Sequence, residues 1–350
     1  MTDFVEYLTA KRSVDDRALD RRVWDRFVSH LVDRARSSAE PVEVVEVGAG
    51  VGSMLARLAS WESLPGRVSY RLVDVDETTV SAARERVPEW LADAGYETEW
   101  HDCGRLTATR DDEQSTATHD ARADDASTED VRTEFDVSFT VADAAALADG
   151  ADGSASGADG SASGADGSGA TVDGRASDDA DAVVAAAFLD VVDLDRMLPA
   201  LRELLRPAGV VYAPCTFDGG TQFSPPQDHD SRIERLYHRH MDEVRERPGG
   251  SRAGREVLER APSHGFTVEA VGGCDWVVRP WDGTYPHAEA TFLAHLLTTI
   301  DGALADYPNE TLDPTVREAW VDTRRRQLDR GELILVAHHL DLLLRADADG

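Results

Sequence analysis

The stretch Val42-Glu43-Val44-Val45-Glu46-Val47-Gly48-Ala49-Gly50-Val51-Gly52-Ser53-Met54-Leu55 reads as a buried strand running through a glycine turn into a helix. Val42, Val44, Val45 and Val47 are apolar and β-branched, as a parallel strand covered on both faces requires. Gly48, Gly50 and Gly52 let the backbone turn tightly and approach a ligand closely, where a Cβ would intervene.

The spacing of these glycines separates two nucleotide-site readings. A dinucleotide fingerprint, Gly-x-Gly-x-x-Gly, would place its third glycine at position 53, which is Ser53. Here the third glycine comes one residue earlier, and Glu46 lies two residues before the first. Glu-x-Gly-x-Gly-x-Gly at a strand end resembles motif I of the class I S-adenosylmethionine-dependent methyltransferases.

Later segments extend the resemblance in the same order. Arg67-Val68-Ser69-Tyr70-Arg71-Leu72-Val73 forms a second strand ending in Asp74, where a carboxylate is placed to accept both ribose hydroxyls of an adenosine group. Asp76 is the expected cap of a helix through Val80, Ala83 and Val87 that ends before Pro88. Leu72 to Asp76, with Ala82-Ala83-Arg84, is similar to motif II of the family. Phe135 to Val141 makes a third strand, and the resemblance implies that Asp143 and Ala144 meet the adenine. Ala182 to Asp190 is the fourth strand and its exit. Leu201-Arg202-Glu203-Leu204-Leu205-Arg206-Pro207-Ala208-Gly209 resembles the family's turn before strand five, with Ala208 in place of one glycine. The family pattern further implies Ala49, Val75 and Ala187 in the cofactor pocket, and Arg17, on the N-terminal arm, at the cofactor carboxylate. Arg12 is a second arginine of that arm with the same prospect.

With 67 acidic against 36 basic side chains, the formal charge is -31, and Lys11 is the only lysine. Such a surface repels phosphate backbones, so nucleic acid is not an expected partner. The composition looks like that of a salt-loving archaeon, where screening shortens to a Debye length of about 3 Å at 1 M salt. Cys103, Cys215 and Cys274 are odd in number and far apart in sequence, which argues against a disulfide framework or a Cys-x-x-Cys metal site, so no metal is expected. The acidic N-terminus is unlike a signal peptide, and no apolar run is long enough for a bilayer, so the expected location is the cytoplasm, with no membrane contact.

The resemblance as a whole implies a Rossmann-like doubly wound α/β fold, its seven core strands ordered 3-2-1-4-5-7-6. The N-terminal helical arm is expected over residues 1–40 as two helices broken near Arg12-Ser13-Val14-Asp15. A methyltransferase domain follows over 41–350. Within it, disordered acidic insertions are expected at about 104–132 and 149–179, the second built from Gly-Ala-Asp-Gly-Ser-Ala-Ser repeats, and a helical elaboration at about 285–330.

Methyl transfer is an in-line displacement, so the protein has to align the acceptor and remove a proton from a hydroxyl or ammonium. The candidate catalytic residues are Asp190 after strand four and Tyr237 and His240 on a later helix, with Asp218 and His238 as further titratable groups. Trp276 and Trp281 are candidate walls for an apolar substrate. No Asn-Pro-Pro-Tyr or Asp-Pro-Pro-Tyr follows strand four, and Pro214-Cys215 precedes Thr216 instead of the Gln of a cytosine-C5 enzyme. A small-molecule acceptor, methylated on oxygen or nitrogen from S-adenosyl-L-methionine, is the resulting expectation. Two alternatives stay open: a non-catalytic binding protein that senses the cofactor, and a transferase moving another group from it. The segments around Leu236–Met241, Ser251–Arg255 and Cys274–Val278 look similar to a subgroup of the family with no defined substrate. The oligomeric state is not encoded in any motif.

Overall fold

The computed structural model describes residues 2–62, 64, 66–111, 132–148, 180–246 and 248–348. Its centre is a ten-stranded sheet flanked by helices on both faces. The second expected insertion, 149–179, lies outside the described residues, as does 112–131 of the first.

β1 (Val42–Val47) lies parallel to both β2 (Gly66–Asp74) and β6 (Ala180–Val184). β2 pairs in parallel with β5 (Arg132–Val141), and β6 with β7 (Leu205–Ser224). β10 (Ile334–Ala346) then runs antiparallel between β7 and β8 (Phe266–Gly273). The path β5-β2-β1-β6-β7-β10-β8 is the 3-2-1-4-5-7-6 order expected from the sequence resemblance. After β5 the chain returns across β1 to form β6, so the sheet has a topological switch point at the carboxyl ends of β1 and β6, where open α/β sheets bind ligands.

Valine alternation on β1 explains why both faces are covered. Val42 and Val44 join one core with Trp24, Phe27 and Leu31 of α2 (Arg21–Ser37), Leu55 and Leu58 of α3 (Ser53–Trp61), and Val80 and Val87 of α4 (Glu77–Asp93). Val45 and Val47 join a second core with Leu194, Leu198 and Leu201 of α6 (Leu194–Glu203) and the short α5 (Ala144–Ala148). A third cluster gathers α1 (Thr2–Ala18), α7 (Asp230–Arg239), α9 (Glu289–Ala305) and α10 (Pro314–Asp329) around β9 (Trp276–Val278) and the start of β10.

Several boundaries differ from the sequence expectation. The arm's two helices break at Leu19–Asp20 and not near Ser13, because Asp20 accepts hydrogen bonds from the N–H groups of Arg22 and Val23 and caps α2. Pro88 sits inside α4, whose buried Val87 and Leu91 carry the helix past the missing N–H. The region read as an insertion from about 104 begins as structure: β3 (Glu97–Trp100) and β4 (Leu106–Asp111) add an antiparallel edge to β5. Its alternation was masked by polar composition, since only Leu106 and Ala108 face inward. Asp76 caps α4 as expected, its carboxylate accepting from the Thr78 N–H. Among the described residues, no helix is long and apolar enough to cross a membrane.

Candidate functional site

At the carboxyl end of β2, Asp74 ties the glycine turn to the next helix. Its Oδ2 accepts the Gly50 N–H at 2.8 Å, and its Oδ1 accepts the Asp76 N–H at 3.0 Å. A carboxylate oxygen has two lone-pair directions, so each retains acceptor capacity after these bonds. Beside it, Val75 is 72% exposed and Val141, the residue paired with Asp74 across β2 and β5, is 48% exposed. Two uncovered valines at adjacent strand ends, next to a half-buried acid, form an apolar shelf with a polar rim. Asp143 closes that rim: it is exposed, accepts the Ala145 N–H at 2.8 Å and so starts α5, with Ala144 buried behind it.

Each glycine of the turn has a positive φ. What stands where their side chains would be is protein. A Cβ on Gly48 would lie 2.3 Å from the Phe188 ring, one on Gly50 would lie 3.0 Å from Leu8 of α1, and one on Gly52 would lie 2.6 Å from Val87. The sequence reading assigned this closeness to a ligand; the structure assigns it to Phe188, Leu8 and Val87. Ala49 is buried in the turn, its N–H donating to the Val73 carbonyl. Ala187, after β6, holds a positive φ of 48° and donates its N–H to the Pro214 carbonyl, which fixes the chain that carries Phe188.

Glu46 does not open onto this shelf. It is buried, accepts from the Tyr70 hydroxyl at 2.8 Å, and its pKa is pushed up to about 8 by burial, against the opposing pull of Tyr70 and Arg57. Glu46 therefore braces β1 against β2 from below. Arg17 also goes elsewhere: both its terminal nitrogens grip Glu289, a fully buried carboxylate at the start of α9, and Ser13 donates to the same group. Arg12 stacks on Trp90 at 4.4 Å. The arm's arginines thus latch α1 to α9 and α4.

The arm brings a second set of polar groups over the end of β6. Lys11 is buried, 3.2 Å from Asp15 and 5.2 Å from the centre of the Trp276 ring. Arg57 of α3 reaches Asp15 and Asp16. Tyr7 stacks on Phe292 and feels the charges of Lys11, Asp15 and Asp190, with its pKa pushed up to about 12, chiefly by burial. Asp190 is raised by burial, and its Oδ1 is buried without a partner. The Arg245 guanidinium donates to the Asp190 and Pro248 carbonyl oxygens, leaving Nε buried without a partner.

The two helix candidates separate here. Tyr237 is buried in the third cluster, and burial together with nearby Tyr7 and Asp190 raises its pKa. His240 ends α7 and starts a turn of π-helix (His240–Val244); its largely buried ring packs on Tyr307, with Nε2 2.8 Å from the exposed Asp306. Asp218 is engaged in bonds to the Arg255 backbone and guanidinium. His238 is bonded to the Thr221 hydroxyl, and burial lowers its pKa. Trp276 is buried against His339, whereas Trp281 is exposed. Sequence reasoning missed Tyr7, Lys11 and Arg245; the solitary lysine in an arginine-based chain was the signal for one of them.

Cys215 and Cys274, distant in sequence, meet with sulfurs 3.2 Å apart beside the buried Asp341, whose oxygens accept the N–H groups of Asp20 and Cys215.

No protein-family model matches the chain, and no curated protein matches it. Solved structures that overlay on it include a SAM-dependent methyltransferase of Thiobacillus denitrificans in complex with S-adenosyl-L-homocysteine, at 12% identity over 94% of this chain and 92% of that one, with a TM-score of 0.39. A SAM-dependent methyltransferase of Methanosarcina mazei overlays at 13% identity, 89% and 94% coverage and a TM-score of 0.38. One from Geobacter sulfurreducens, also with S-adenosyl-L-homocysteine, overlays at 13% identity, 92% and 90% coverage and a TM-score of 0.37. Superpositions this loose assign no residue of this chain a role.

Proposed function

We propose that the chain is an S-adenosylmethionine-dependent methyltransferase acting on oxygen or nitrogen of a small-molecule acceptor. The observation that carries this reading is the bond from the Gly50 N–H to Asp74 Oδ2 at the switch point of a 3-2-1-4-5-7-6 sheet. It joins the glycine turn of one strand to the acid of the next and leaves that acid able to accept two hydroxyls.

The residues at this end of the sheet fit an adenosyl group. Asp74 would hold the ribose, Val75 and Val141 would cover the faces or edge of the base, and Asp143 would accept from its amino group. Gly48, Ala49, Gly50, Gly52, Ala144 and Ala187 shape the backbone around them. S-adenosylmethionine supplies a methyl group made electrophilic by its sulfonium. The protein's task is alignment and proton removal. Asp190, at the adjoining strand end, has a pKa raised by burial, and a base nearer neutrality holds an acceptor's proton more effectively. Tyr237, kept protonated by burial, orients the acceptor as a hydrogen-bond donor. The acid-rich surface and the lack of a lysine outside Lys11 fit a cytoplasmic protein of a salt-rich cell.

Incubation with methyl-labelled S-adenosylmethionine and a fractionated metabolite extract tests this reading. Release of S-adenosylhomocysteine that depends on one fraction supports it, while tight cofactor binding with no turnover on any fraction would make the chain a sensor.

A further inference from the structure

The polar groups over the end of β6 are not balanced by one another. Five buried or partly buried donors converge there: the Lys11 ammonium, the Arg245 Nε–H, the Trp276 Nε1–H and the hydroxyls of Tyr7 and Tyr237. The Arg245 and Trp276 groups have no partner, and the opposing orphan acceptors are Asp190 Oδ1 and Asp15 Oδ1. Native interiors leave very few such groups, because each is costly if nothing meets it. A cluster of them at one strand end is the mark of a ligand site.

We propose that Tyr7, Lys11, Tyr237 and Arg245 form the subsite for a carboxylate group of the small acceptor, held beside Asp190. That the ligand is the methyl acceptor rests on the methyltransferase reading above; that the compartment takes a carboxylate does not.

Charge selects the class of ligand. Three cations, Lys11, Arg57 and Arg245, face three carboxylates, Asp15, Asp16 and Asp190. Arg245 donates to carbonyl oxygens and meets the Asp190 carboxyl through charge, with its Nε–H left without a partner. Burial alone would lower the Lys11 pKa, but Asp15, Tyr7 and Cys215 outweigh it and hold the ammonium charged. The neighbouring His339 is kept neutral, its pKa lowered to about 4 mainly by burial. Lys11 and Arg245 are charged donors, whose bonds favour a carboxylate oxygen over a neutral acceptor, whereas a phosphate dianion adds a second charge among Asp15, Asp16 and Asp190. Tyr7, Trp276 and Phe292, which pack together, keep the compartment small.

The chain's own composition supports this. Every other long-chain cation is arginine, so a lone lysine in the interior stands where a compact, three-donor point charge is required.

Because Lys11 is the only lysine, protein carrying 13Cε-lysine shows one lysine side-chain resonance. The folded full chain is titrated at constant ionic strength with sodium acetate, acetamide and inorganic phosphate, and S-adenosylhomocysteine binding is measured in parallel by calorimetry. The proposal expects a saturable Lys11 shift with acetate, none with acetamide and a weaker response to phosphate. Arg245→Gln should raise the acetate midpoint about tenfold, and Arg245→Lys should restore part of it. A Lys11 signal unmoved by acetate while S-adenosylhomocysteine binds would overturn the subsite and leave the cofactor reading intact. A saturable acetate shift without S-adenosylhomocysteine binding would keep the subsite and remove its role in methyl transfer. Equal shifts with acetate and acetamide would overturn the charge argument.

Discussion

The two halves of the site at the carboxyl ends of the sheet are built on different physics. Around β1, β2 and β5 the groups are half-exposed and work through backbone: Asp74 holds two N–H groups, Asp143 starts α5, and Val75 and Val141 stand uncovered. Over β6 and β7 the groups are side chains from distant segments, Lys11, Arg57, Asp190, Tyr237 and Arg245, buried and meeting through charge. The first half is specified by local turns. On the function proposed above, the second half would set acceptor identity, because changing one helix changes its inventory.

The sharpest separation should come from Asp190→Asn. Removing a proton acceptor beside the acceptor should lower turnover by about 100-fold or more, with S-adenosylmethionine affinity unchanged. Steady-state rates on the active extract fraction, set beside calorimetric affinities, check this; a parallel loss of cofactor affinity would merge the two halves.

Gly48→Ala addresses the first half through stability. The positive φ and the overlap with Phe188 together should cost about 2–4 kcal/mol in denaturant unfolding. In the background of Phe188→Ala the penalty should shrink to the backbone part alone. If it does not, Phe188 is not what demands the glycine.

Glu46 supplies a pH test beneath both halves. Its folded pKa, about 8, lies above the ordinary value of 4.5, so the fold binds the proton more tightly than the unfolded chain does. This contribution is fully present below about pH 4.5 and is lost as pH rises through about 8. Thermal unfolding followed from pH 5 to 9 should therefore fall more steeply for the wild type than for Glu46→Gln. Equal slopes would show that Glu46 is ionised in the fold. The smallest effect belongs to His240→Ala: loss of its pair with Asp306 and its contact with Tyr307 should change stability by about 1 kcal/mol and leave turnover intact.

The contrast also explains what was legible in the sequence. Asp74 and the cap at Asp76 follow from local signals, glycine spacing and a carboxylate at a strand end, whereas the strand order came from the family resemblance and not from periodicity. Arg17 was misplaced because the buried partner that claims it, Glu289, lies 272 residues away, and no spacing rule connects them. The same distance hid the convergence of Lys11 with Asp190 and Arg245. His240 looked like a companion of Tyr237 by its three-residue spacing, but the partners that claim it, Asp306 and Tyr307, lie far along the chain. β3 was obscured because all four residues of this edge strand are exposed, and β4 because it buries only Leu106 and Ala108.

Calorimetric titration with S-adenosylhomocysteine tests the central claim most directly. The wild type should bind one equivalent, Asp74→Ala should bind at least about tenfold more weakly through loss of charge-assisted ribose bonds, and Tyr237→Phe should bind like the wild type. No binding by the wild type, or undiminished binding by a folded Asp74→Ala, would contradict the assignment of the β1–β2 strand ends as the cofactor site.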